Sequence, residues 1–306
     1  MPAPLTGLIP ACHTPMDAQG GLALDRVDDQ AALLREVGIR AVFIGGTTGE
    51  CASLGLDERM ALAERWCATA GGSMQVVVHV GDNSLPEAVK LAAHAREVGA
   101  SAVSAVAPNY FKPATALDLV DFCVPIAAEA DPLPFYYYDI PGMTGVRIAM
   151  SDFLRQARFR IPTLRGLKYS NDDLLELQEC IRLEGGAFDV FFGSDECLLA
   201  GLCLGIRGAV GSTYNFAAPL YQRLTRAFEA RDLIAARELQ GRSIDLIKTL
   251  RKHGFLAASK AVMGMLGVDC GPVRAPLRSL SLDERVAIYE AIAPLDAFPR
   301  PLERPR

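Results

Sequence analysis

From residue 6 to about residue 230, short apolar runs alternate with amphipathic ones along this chain. The apolar runs predict strands at 8–12, 41–44, 75–80, 102–107, 134–138, 164–168, 190–192 and 208–211, each too short for a buried helix and bounded by loop residues. Between most of them lie helical patterns with readable ends. Asp57 and Glu58 put acid into a first turn, where the helix dipole favours it. Ser84 precedes Pro86 and Glu87 as a cap, an early proline and an acid. Gly38 and Gly99 stand where C-terminal cap glycines belong. Eight strands alternating with helices specify parallel pairing, and eight is the number that closes a barrel. The expected fold is therefore α/β, a (β/α)8 TIM barrel. An open doubly wound sheet would carry a Gly-rich turn after its first strand, and His13-Thr14-Pro15-Met16 is not one. Beyond 230 the helical patterns 234–253, 256–266 and 282–292 follow without strands. They predict a C-terminal helical extension (231–306) packed on the barrel (1–230), with a Pro/Arg-rich tail at 298–306 that frays.

Composition narrows the function. The 306 residues are 50% hydrophobic and 22% charged with a net charge of -5, and no long basic run offers a nucleic-acid surface. No apolar stretch reaches the ~18 residues that would span a membrane. Residues 1–10 contain prolines and no basic segment, so no secretory signal is expected. Eight cysteines are scattered without a CxxC pair, which argues against a zinc or redox motif. Several fall in apolar patterns as small buried hydrophobes, and reduced thiols suit the cytoplasm. The best case for a metal is His13 with His79, two isolated ligands where a site needs three or four, so no metal is expected.

Chemistry collects at the predicted strand ends, the face on which barrels of this kind place their active sites. After strand two comes Gly45-Gly46-Thr47-Thr48-Gly49-Glu50, whose amides and hydroxyls could hold a small carboxylate or simply form a tight turn. Strand five ends in Tyr136-Tyr137-Tyr138, and alternation puts Tyr136 and Tyr138 on one face. Tyr138 is then either a proton shuttle or an aromatic packing residue. Strand six ends in Gly166-Leu167-Lys168. A lysine there either sends its head to water or is buried as a neutral amine able to attack a carbonyl. Strand seven ends in Gly193-Ser194-Asp195-Glu196, an acid pair that could grip hydroxyls or cap the next helix.

Together, Gly45 to Glu50, Tyr138-Asp139-Ile140-Pro141, Gly166-Leu167-Lys168 and Gly208-Ala209-Val210-Gly211-Ser212-Thr213 resemble the signatures of the N-acetylneuraminate lyase/dihydrodipicolinate synthase family, in the same order and over nearly the whole chain. The resemblance implies a homotetrameric class I aldolase that holds a 2-oxo acid as a Schiff base on Lys168, with no other cofactor. It further implies Tyr138, Thr48 and Tyr110 as catalytic residues, Thr48 relaying protons to Tyr138 and Tyr110 reaching across a subunit boundary. Thr47, Thr48, Ser170, Gly193, Asp195, Glu196 and Ser212 are implied as substrate-binding residues. Met143 stands where the synthases carry an arginine, and an apolar thioether cannot make that residue's charge-assisted contacts. Asp195-Glu196 and Phe135-Tyr136-Tyr137-Tyr138 are more similar to the sialic acid lyases, with another pyruvate-dependent aldolase of the family (dihydrodipicolinate synthase, or cleavage of keto-deoxy sugar acids or 4-hydroxy-2-oxoglutarate) as the alternative. Thr47, Asp139 and Ser170 depart from common family residues, and Asp139 is expected to add a charge beside Tyr138.

Overall fold

Strands form where the apolar runs fall, with ends shifted by a residue or two. In a computed structural model that describes residues 5–306 they are β1 Gly7–Pro10, β2 Ala41–Ile44, β3 Gln75–His79, β4 Ala102–Ala105, β5 Phe135–Asp139, β6 Leu164–Tyr169, β7 Asp189–Phe192 and β8 Gly208–Gly211. Residues 1–4, the start of the stretch read above for a secretory signal, lie outside the described residues. The strands pair in parallel in the order β1-β8-β7-β6-β5-β4-β3-β2. A parallel bridge from Ala11 to Phe43 closes the ring, and the Cys12 amide donates to the Phe43 carbonyl at 2.9 Å. This is a TIM barrel with a helical extension, as the alternation of patterns requires.

Around the barrel run α1 Val27–Glu36, α2 Leu56–Ala70, α3 Leu85–Glu97, α4 Ala116–Glu129, the single turn α5 Pro141–Thr144, α6 Met150–Ala157, α7 Leu174–Arg182, α8 Leu198–Leu204 and α9 Tyr214–Glu229. The extension consists of α10 Leu233–Lys252, α11 Phe255–Met265 and α12 Leu282–Ile292. Gly38 and Gly99 take positive φ just past their helices, as expected. Ser84 occupies the N-cap position of α3, but its hydroxyl makes no cap bond.

Strand alternation sorts the apolar side chains into two layers. Ile9, Phe43, Val77, Tyr136, Tyr138 and Phe191 fill the barrel interior. The outer layer, between strands and helices, includes Trp66 and Phe153 and runs on without a break into Leu246 and Val262 of the extension. Tyr137 belongs to it and packs on Phe153 of α6, with ring centroids 4.8 Å apart. The tail is held to the extension at two points. Leu302 packs against the core, and the Glu303 amide donates at 2.7 Å to the Met265 carbonyl, an acceptor that the end of α11 leaves without a helical partner.

All eight cysteines are free thiols, and Cys12, Cys123, Cys180 and Cys270 are buried. No helix among the described residues is long and apolar enough to cross a membrane.

Candidate active site

Lys168 sits on β6 in register with Tyr138 of β5 and Phe191 of β7. Residues in register on parallel neighbours face the same side, so its amine projects into the barrel with theirs. The residue is 4% exposed. Its Nζ lies 3.7 Å from the centroid of the Tyr138 ring and 4.0 Å from that of Phe43. Two ring faces can hold the ammonium by cation–π attraction while shielding the amine from bulk water. Gly166 makes the placement possible, because a Cβ there would overlap the Asp189 backbone and part β6 from β7.

The loop after β2 brings two hydroxyls to the cavity that Lys168 lines. Thr47 Oγ1 lies 3.4 Å from the Tyr138 hydroxyl, and Thr48 Oγ1 lies 2.6 Å from Ser212 Oγ at the end of β8. The hydroxyl within reach of Tyr138 is thus that of Thr47, while the Thr48 hydroxyl, expected to serve Tyr138, meets Ser212. The turn is tight: the Glu50 amide donates to the Thr47 carbonyl at 3.0 Å. A Cβ on Gly49 would crowd the Gly45 backbone at 3.1 Å.

At the end of β7 the two acids part company. The Asp195 carboxylate accepts from the Thr213 amide at 2.8 Å and from its hydroxyl at 2.5 Å, buried against Gly211. Burial outweighs these donors and pushes its carboxyl up to about 6. Glu196 instead forms an ion pair with Arg251, near the C-terminal end of α10. Ser170 Oγ lies 3.5 Å from the Gly193 carbonyl.

Asp139 does not add a charge beside the Tyr138 hydroxyl. As the last residue of β5 it alternates to the outer face, in register with Tyr169, and accepts from Asn171 Nδ2 at 3.0 Å. Burial raises its carboxyl from 3.8 to about 6. A raised carboxyl contributes stability below its unfolded value that is lost as pH rises through the folded one. Asp139→Asn keeps the acceptor for Asn171 and removes the titration. Its melting temperature should match wild type near pH 4 and exceed it increasingly up to pH 7, by a free energy of at most about 3 kcal/mol. A difference independent of pH would contradict this assignment.

A cavity of about 680 Å³ opens over Lys168. Thr47, Thr48, Tyr138, Lys168, Ser170, Gly193, Asp195, Glu196 and Ser212 all line it. Tyr110 does not: it stands 78% exposed on the loop after β4, edge to face with exposed Phe111. Met143 reaches the mouth of the cavity. Part of the wall went unseen in the sequence. Arg251, Phe255 and Leu277 come from the extension, and His79, read in the sequence only as half of a metal pair, from β3. His79 is held neutral by burial and then by the charges of Arg59 and Lys168, with Arg59 Nη2 3.4 Å from its Nδ1. Among the described residues no three His, Cys, Asp or Glu side chains converge as metal ligands. His13 is hydrogen-bonded to Ser259. A basic residue ending a helix, such as Arg251, reads locally as a dipole partner, so no signal in the sequence marked it for the site.

Comparison with known proteins adds to this geometry. The model of the dihydrodipicolinate synthetase family matches residues 4–294. The chain belongs to that family. It is 41% identical over 278 residues to the N-acetylneuraminate lyase of Gallus gallus, covering 89% of this chain and 90% of that one. It is 38% identical over 293 residues to the enzyme of the same name from Danio rerio, covering 94% and 95%. Among solved structures, the N-acetylneuraminate lyase of Proteus mirabilis superposes with a TM-score of 0.94 at 38% identity, over 96% of this chain and 99% of that one. The dihydrodipicolinate synthase of Aquifex aeolicus, at 28% identity, has a TM-score of 0.88 over 97% and 99%. The protein is a class I aldolase of this family, which acts on small 2-oxo acids.

Proposed function

We propose that the protein is an N-acetylneuraminate lyase, cleaving the open-chain sugar acid reversibly to N-acetylmannosamine and pyruvate. The observation that carries the reading is the buried Lys168 amine against the Tyr138 ring, with the Tyr138 hydroxyl beside Thr47, in a cavity large enough for a long substrate. Lys168, as free amine, attacks the C2 ketone and loses water, forming an iminium. The iminium accepts the electron pair of the C3–C4 bond as it breaks. Tyr138 takes the proton of the C4 hydroxyl while passing its own towards the substrate carboxylate held by Thr47 and Thr48, and N-acetylmannosamine leaves. The enamine is protonated at C3, and water releases pyruvate and the free lysine.

Met143 at the mouth supports the lyase over the synthase branch, since it offers no cation to a substrate's second carboxylate. Glu196 and Arg251 form a polar, paired rim suited to the hydroxylated tail. Asp195, engaged by Thr213, serves the site by holding the segment that carries Ser212. Exposed Tyr110 and Phe111 support a homotetramer in which this loop reaches a neighbour's site. The free thiols support a cytoplasmic location.

Cleavage measured across a panel of 2-oxo acids tests the reading. N-acetylneuraminate should be the best substrate, giving pyruvate and N-acetylmannosamine. Efficient condensation of pyruvate with aspartate semialdehyde, and no cleavage of N-acetylneuraminate, would move the protein to the other branch. Within the lyase reading, Glu196→Ala should lower kcat/KM for N-acetylneuraminate by about ten- to a hundredfold. Pyruvate adduct formation on Lys168 should be unchanged.

A further inference from the structure

The loop that carries Thr47 and Thr48 ends on Glu50, which adopts the left-handed conformation (φ 57°) without being glycine. That conformation is unfavourable for a residue with a side chain and persists only where its surroundings enforce it. Here the partners of the Glu50 side chain come from the extension. Lys260 Nζ, on α11, lies 2.6 Å from Glu50 Oε1, with the two side chains 2% and 1% exposed. Lys260 also donates to the Pro272 carbonyl at 2.7 Å, and the Arg274 amide donates to Glu50 Oε2 at 2.8 Å. The Arg274 guanidinium then reaches back to Glu58, to the Ser53 carbonyl at 2.8 Å and to the Gly20 carbonyl at 2.7 Å. One residue before Lys260, the Ser259 hydroxyl meets His13 Nε2 at 2.8 Å. Burial and then the Lys260 charge hold that ring neutral, with its pKa lowered to about 3.

Segment 259–274 thus grips the loops after β1 and β2 together. A buried ion pair is an inefficient way to add stability, because apolar residues of the same volume often do as well. What it adds is direction, since each charge must find its partner in one geometry. We propose that Lys260 is a positioning residue: through Glu50, the C-terminal extension sets the placement of Thr47 and Thr48 and with it the affinity for the 2-oxo acid carboxylate. This rests on reading that loop as the carboxylate-binding element. Without Lys260 the Glu50 carboxylate keeps only the Arg274 amide, and the left-handed turn is free to relax.

The test uses the full-length protein and borohydride trapping of pyruvate on Lys168 across a range of pyruvate concentrations. Lys260→Met should raise the half-saturating pyruvate concentration by about tenfold or more. Adduct yield at saturation should stay within about threefold of wild type, because Lys168 and Tyr138 are untouched. Glu50→Gln, which leaves Lys260 buried and unpaired, should raise it similarly and serves if the methionine variant does not fold. The double variant Glu50→Gln/Lys260→Met is neutral and still accepts from Arg274. It should show a smaller rise than the two single effects combined. An unchanged half-saturation in both single variants, a loss confined to saturating yield, or additive effects in the double variant would each overturn the proposal. Thr48→Val separates its premise from Lys260: if that variant leaves half-saturation unchanged, the carboxylate reading of the loop is what fails.

Discussion

Replacing Lys168 with alanine should lower turnover by roughly ten-thousandfold or more, since no other group can form the iminium that accepts the electrons of the breaking bond. In wild type, borohydride added with pyruvate should fix a three-carbon fragment to Lys168, and mass mapping should find it there and nowhere else. The variant should fold. The amine is packed between the rings of Phe43 and Tyr138 at the barrel mouth, and the apolar layers that hold the strands together lie below it and outside it. Lys168→Arg should not rescue, because a guanidinium stays protonated and cannot act as a nucleophile. An adduct on another residue, or turnover by the alanine variant, would remove Lys168 from the mechanism.

Tyr138→Phe should have the next largest effect, a fall in kcat of about a hundred- to ten-thousandfold. The substitution keeps the ring that faces Lys168 and removes only the hydroxyl that meets Thr47. Pyruvate should therefore still be trapped on Lys168, while the cleavage step, which needs the C4 proton removed, stalls. A phenylalanine variant with wild-type kcat would assign the proton transfer elsewhere. If trapping and cleavage fell together, the hydroxyl would be acting before the bond breaks.

These two residues were legible in the sequence because both end apolar strands, and period-two alternation puts Tyr136 and Tyr138 on one face, which in the structure is the interior one. The same rule applied one residue further assigns Asp139 to the outer face. The expected strand stops at residue 138, however, so alternation is not carried on to Asp139, whose charge is expected beside Tyr138. The strand-end clusters were legible for a similar reason: in a parallel barrel the C-terminal strand ends share one mouth, so residues far apart in sequence converge once the fold class is known.

What the sequence by itself determined is whatever depends on backbone periodicity and local turn chemistry. That covers the eight strands, the helices between most of them, the three helices of the extension, and the strand-end residues delivered to the mouth. Tertiary structure decided which partner each side chain meets there. Thr47 and Thr48 are neighbours of identical chemistry, and only the loop's three-dimensional path sends one hydroxyl to Tyr138 and the other to Ser212. Asp195 and Glu196 are equally adjacent, yet one is engaged by Thr213 and the other by Arg251. The pairing of Glu50 with Lys260 joins residues that no periodicity relates. The Pro/Arg-rich tail carries no local signal of a partner, yet Leu302 packs against the core and Glu303 meets the end of α11. In each case the outcome depends on packing between segments distant in the chain. Hydrogen bonds and charges act over a few ångströms, so the folded arrangement decides which of several chemically equivalent partners is near enough to matter.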